Sequence, residues 1–149
     1  MGFWRRRQLH ETAVHHVDAL AAGGLDLSGP VTELPVLSAQ EAADGVGEVL
    51  EVFVPRMLVR RADEPPEAVV PATRPVAFAC SDVGVAWTLR LREGVPVVER
   101  GVADDAVATV SGPAAHLYLA LWHRADPALL AVEGDVDRAR RLLDASLVP

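Results

Sequence analysis

Residues 104–124 read DDAVATVSGPAAHLYLALWHR, and within them the hydrophobic period changes. Over residues 105–110, Ala106, Ala108 and Val110 fall on one side of an alternating pattern, which predicts a short strand. The alternation stops at Ser111-Gly112-Pro113. Serine is a good N-cap and proline suits a first turn, so a helix is expected from there through Arg124. Upstream, residues 76–81, 85–92 and 97–100 read as three more strands. In the second of these, Val85, Trp87, Leu89 and Leu91 share one face while Thr88, Arg90 and Arg92 share the other. Residues 82–84 and 93–94 suit hairpin turns. Downstream, residues 129–133 suit a fifth strand, and Asp135 is placed to cap a last helix ending near Ser146.

The N-terminal part has the other period. Residues 3–22 carry Leu9, Ala13, Val17 and Leu20 three or four apart and stop at Gly23-Gly24, which predicts a long amphipathic helix of about five turns. Ser38 and Glu41 form a capping box that opens a second helix, with Ala42, Val46, Val49, Leu50 and Phe53 on one side and Pro55 expected to end it. Residues 62–75, ADEPPEAVVPATRP, hold four prolines and read as a surface connection. The order is two helices, an antiparallel sheet of four to five strands, and two helices interleaved with its last strand. This is an α+β arrangement with flanking helices, preceded by the long N-terminal helix.

Composition bounds the function. The 149 residues are 50% hydrophobic and 23% charged, which suits one globular core. A formal net charge of -7 argues against nucleic acid or an anionic membrane as partner. No stretch approaches the roughly 18 apolar residues of a spanning helix, and no apolar segment follows the basic N-terminus, so a cytoplasmic location is expected. Cys80 is the only cysteine, which excludes an internal disulfide and a cysteine-based zinc cage. All 14 basic side chains are arginine, and lysine, isoleucine and asparagine are missing, as a GC-rich gene would dictate.

Few residues suggest chemistry. Glu11 and His15 lie one turn apart on the same face of the first helix, where a carboxylate and an imidazole can hold one divalent ion or simply form a solvated pair. Asp18, three residues on, could hold the second ring nitrogen of His15. His10 and His16 point roughly 100° away from the pair on the helical wheel. Arg124 could bind a substrate carboxylate through its planar fork or cap carbonyls at its helix end. Arg5, Arg6 and Arg7 read as a solvated basic end. Gly45-Val46-Gly47 lacks the strand and third glycine of a dinucleotide loop. Cys80, Trp87 and Trp122 fall at core positions, and Arg74, Arg90 and Arg92 either line a site or sit on exposed strand faces.

Several stretches together resemble the mycothiol-dependent maleylpyruvate isomerase family. FWRRRQLHETAVHHVDAL is similar to the last helix of that family's DinB-like metal-binding bundle. AADGVGEVLEVFVPRM, the strand with Trp87, and DDAVATVSGPAAHLYLALWHR followed by VEGD are similar to its C-terminal domain, in the family's order. The final portion also resembles the sterol-carrier-protein-like (SCP2-like) fold. The resemblance implies that residues 1–24 are the last helix of a truncated bundle and residues 25–149 a C-terminal α+β domain. It implies that Glu11 and His15 are metal ligands, with zinc the expected ion, and that Arg124 contacts the substrate carboxylate. It also implies mycothiol as the thiol and an actinobacterial source. The family's third ligand, a histidine from an earlier helix, has no counterpart in this chain.

Two readings follow. In one, the chain is the C-terminal part of such an enzyme, with two of three expected ligands, inactive alone and completed by a helical-bundle partner. In the other, it is a noncatalytic binding or dimerisation module whose N-terminal helix packs elsewhere, for instance in a homodimer.

Overall fold

The computed structural model describes residues 2–60, 74–93, 95–145 and 147–148. The first helix, α1, spans Phe3–Ala22 and ends at Gly23-Gly24, as its apolar spacing predicts; Gly24 takes the left-handed backbone (φ 99°) that a residue with a Cβ rarely adopts. α2 spans Ala39–Glu48. Ser38 accepts from the Glu41 amide while the Glu41 carboxylate accepts from the Ser38 amide, so the capping box is complete.

Pro55 does not end this helix. The chain widens into a π-helical turn, Val49–Phe53, and resumes as α3, Val54–Arg60. Pro55 then sits in the first turn of α3, where a missing amide costs little. The surface connection expected over residues 62–75 lies outside the described residues except for Arg74 and Pro75.

Five strands follow: β1 (Val76–Cys80), β2 (Val85–Arg92), β3 (Val95–Arg100), β4 (Ala108–Gly112) and, after helix α4 (Ala114–Leu121), β5 (Ala131–Gly134). Helix α5, Val136–Asp144, closes the fold with Asp135 as its cap. The sheet order is β3-β2-β1-β4-β5. The sheet is mixed, not wholly antiparallel: β4 lies parallel to β1, while the other three pairings are antiparallel. The chain leaves β3 at one edge and residues 101–107 carry it back past β2 and β1, so β4 arrives in the direction of β1.

Ser111 belongs to β4, and the backbone amide of Ala114 at the start of α4 is instead met by Asp82, at 3.0 Å, from the β1–β2 turn. α4 stops at Leu121, short of Arg124. His123 takes a left-handed turn (φ 58°), and the Arg124 amide donates back to the Leu119 carbonyl.

One face of the sheet, with Val76, Phe78, Cys80, Trp87, Leu89, Ala108 and Val110, is buried under the helices. α2 and α4 approach closely because α2 presents Gly45 and Gly47. A Cβ on Gly45 would fall 2.5 Å from the Tyr118 ring of α4, and one on Gly47 would fall 2.9 Å from Trp87. On the opposite face, buried Thr88 donates to the Gly101 carbonyl and accepts from the Ala103 amide, and Arg90 pairs with Asp105 and Glu99.

Candidate functional site

The chemistry-bearing residues gather around α1 and the elements it lies on. Its buried residues are His10, Ala13, Val14 and Val17, and the last three belong to the same core as the sheet. Ala13 and Val17 are buried as the spacing predicts, Leu9 only packs against the core, and His10 and Val14 complete the buried stripe. His10 is fully buried, with Nε2 2.9 Å from Asp44 Oδ2. Its backbone carbonyl accepts from the Tyr118 hydroxyl at 3.0 Å. Burial drives the Tyr118 phenol well above its ordinary pKa, so it stays a donor.

Arg6 and Arg7 are not a solvated end. Arg6 donates to the Asp44 carboxylate and to its carbonyl, both at 2.8 Å. Partial burial raises the Asp44 carboxyl, but hydrogen bonds from His10 and Arg6 outweigh it and the net pKa is low. Arg7 donates to Glu48, which is almost entirely buried, at 3.0 Å. Only Arg5 of the three is exposed.

The opposite side of α1 carries the predicted ligands. The side chains of Glu11 and His15 are 44% and 72% exposed. Glu11 meets Arg7 at 3.5 Å, and His15 Nδ1 lies 3.7 Å from Asp18 Oδ2. Asp18 also receives Arg124, whose Nε and Nη2 donate to its two oxygens at 3.0 and 3.2 Å. That hydrogen bonding, more than the accompanying charge attraction, holds the Asp18 carboxyl below its ordinary value. Arg124 Nη1 donates to the Trp122 carbonyl at 2.6 Å. Three of the five guanidinium hydrogens are thereby used, two remain, and a third of the side chain is exposed.

The structure therefore joins His15, Asp18 and Arg124 in one patch. The remaining candidates are structural. Cys80 is buried, and burial together with nearby Asp82 pushes its thiol up to about 12. Trp87 is buried and donates to Glu51, and Trp122 is buried against Phe53. Arg90 and Arg92 pair with acidic neighbours across the sheet, and Arg74 is exposed. His116 accepts from the Val31 amide at Nδ1, and its Nε2 faces the Asp126 carbonyl, which ties the α1–α2 connection to α4.

Among the described residues no group of three or more His, Cys, Asp or Glu side chains is placed to share an ion.

These features define an α+β domain with a mixed five-stranded sheet, carrying a helix held by buried His10 and by ion pairs to α2 and to Arg124. Residues 41–141 match the MDMPI C-terminal domain, and the chain belongs to that family, the C-terminal domain of the maleylpyruvate isomerase family. α1 precedes the matched region. No curated protein matches the sequence. Among solved structures, sterol carrier protein 2 from Yarrowia lipolytica is similar at 16% identity over 73% of this chain and 97% of that one, with a TM-score of 0.45. The UbiJ-SCP2 ubiquinone synthesis protein is similar at 19% identity over 68% and 89%, with a TM-score of 0.43. The sec-alkylsulfatase Pisa1 from Pseudomonas sp. is similar at 18% identity over 47% of this chain, which spans 12% of that enzyme, with a TM-score of 0.41.

Proposed function

We propose that the chain is the C-terminal part of a mycothiol-dependent maleylpyruvate isomerase-like protein of the cytoplasm, with α1 as the last helix of a DinB-like metal-binding bundle. Glu11 and His15 are two of the metal ligands, and Arg124 anchors a carboxylate of the substrate. The observation that carries this reading is the Asp18 bridge. It sets the proposed carboxylate anchor beside a proposed ligand that is more than 100 residues away in the chain, with Arg124 oriented by Asp18 and two hydrogens to spare. Bidentate recognition of a carboxylate needs such a pre-set fork.

A zinc ion bound at Glu11 and His15 would hold a thiol as its thiolate at neutral pH. Glu11 and His15 supply two donors, and a bundle partner or a second copy of the chain supplies the rest across the outer side of α1, where Phe3 and Trp4 are exposed. One observation favours the alternative of a noncatalytic module: the inner stripe of α1 is already covered by its own domain.

Zinc chloride titration followed by NMR separates the two. The metal reading expects the His15 ring signals to shift, and the shift to disappear in Glu11→Ala. Absence of any shift, or a shift indifferent to Glu11, supports the module.

A further inference from the structure

One imidazole ties the α1–α2 connection, residues 23–38, to the rest of the domain. His116 of α4 is 1% exposed. Its Nδ1 accepts from the Val31 amide at 3.1 Å, and its Nε2 lies 3.0 Å from the Asp126 carbonyl. An amide N–H only donates and a carbonyl only accepts, so the ring is neutral and carries its hydrogen on Nε2. Among the described residues this is the only hydrogen bond from residues 26–37 to the rest of the chain. The remaining hold is apolar: Leu34 and Leu37 are buried, and Leu27, Val31 and Val36 pack against the core. Residues 32–39 also form, with Ala115 beside His116, a concavity of about 520 Å³, so the connection is one of its walls. The charged groups on the segments around the ring are Asp26 and Glu33 of the connection, Glu41 of α2, Asp126 of the turn after α4, and Arg140 and Asp144 of α5. Among the described residues none of them forms an ion pair with His116, and the Asp126 carboxylate is turned to the Ala128 amide.

We infer that His116 is an acid-sensitive latch: protonation of its ring releases Val31 and frees the connection that walls this concavity. A second proton has to go to Nδ1, which then presents an N–H to the N–H of Val31 and loses the lone pair that held it. His10, the other fully buried imidazole, is different, because its Nε2 faces the Asp44 carboxylate, a partner that a protonated ring keeps. When the latch opens, the ring is solvated and takes its proton near pH ~6.5, as histidines in water do. The closed arrangement has no place for that proton, so opening becomes about tenfold more frequent between pH ~7.5 and ~5.5.

Hydrogen exchange of the Val31 amide reads the latch, measured by NMR on the whole chain at these two pH values and divided by the intrinsic rate at each. The Val31 protection factor should fall about tenfold in acid while the amides of β2 keep theirs. His116→Asn leaves a carbonyl oxygen near the position of Nδ1 but no group that titrates, so Val31 protection should no longer depend on pH. The ring nitrogen signals of the wild type give a second readout that needs no variant: at the higher pH the hydrogen should be on Nε2 alone. If His116→Asn does not fold, the wild-type exchange and ring signals decide. A Val31 protection factor equal at the two pH values, one that falls as much in His116→Asn, one that falls together with the β2 amides, or a ring hydrogen on Nδ1 overturns the latch.

Discussion

Replacing Gly45 by alanine probes the docking of α1 more directly than any charge removal. In an exposed helix interior, the change would be favourable by about 1 kcal/mol. At Gly45 the new methyl carbon would lie 2.5 and 2.8 Å from two Tyr118 ring carbons and 3.0 Å from His10 Nδ1, whereas ordinary contacts begin near ~3.5 Å. Neither neighbour can retreat. Both are fully buried, and the Tyr118 hydroxyl is tied to the His10 carbonyl. Overpacking a core costs about 1–3 kcal/mol, and a clash against two rigid rings belongs at the upper end. Subtracting the helical gain leaves a net loss of about 2 kcal/mol, which lowers the melting temperature of a chain this size by about 4–8 °C. Thermal and urea unfolding by circular dichroism measure it. Gly29→Ala, with nothing within 4 Å of the new carbon, is the control and should stay near wild type. A Gly45→Ala variant as stable as wild type, or more so, refutes the close stacking of α1, α2 and α4.

Other expectations follow from the same contacts. The Arg124 hydrogen bond depresses the Asp18 carboxyl, so its stabilisation is present above the unfolded-state value near pH ~4 and is lost as pH falls through the lower folded value. Wild type should therefore exceed Asp18→Asn in stability by about 1 kcal/mol or less at neutral pH, and the gap should close in acid unfolding once the pH has fallen through the lowered folded value. His123→Gly relieves a left-handed backbone and should gain about 0.5–1 kcal/mol in urea unfolding after the entropy of the new glycine is deducted; a loss would contradict the turn. Tyr118→Phe leaves the His10 carbonyl without its donor and should cost about 1 kcal/mol by the same assay, with no change in zinc response.

The elements that local chemistry determines were legible in the sequence: the extent of α1, the capping box of α2, the alternation of β2 and the Asp135 cap. Features set by tertiary competition were not. Ser111 looked like a cap, but the ladder with β1 claimed it and Asp82 took the capping role. Pro55 looked like a stop, but a single wide turn accommodated it. No periodicity encodes the direction of β4, because strand direction depends on how residues 101–107 return across the sheet. In the site, the Glu11–His15 spacing and Arg124 could be picked out one by one, but their connection through Asp18 could not, because it joins residues 106 apart. Arg6 and Arg7 read as a solvated basic end, and His10 only as pointing away from the Glu11–His15 pair, because their partners, Asp44 and Glu48, lie on another helix.

The clamp on α1 has a cost in time. Its hydroxyl donor, Tyr118, is 108 residues downstream of His10. At ribosomal speeds of about 5–20 residues per second, α1 therefore waits roughly 5–20 s after synthesis for the α4 part of its docking surface. During that interval the face of α1 that meets α4, with its buried histidine and small apolar stripe, is open to solvent. A nascent helix with so polar an inner face is a poor aggregation nucleus, and the sequence that makes α1 hard to recognise as a core helix also lets it wait safely for the rest of the domain.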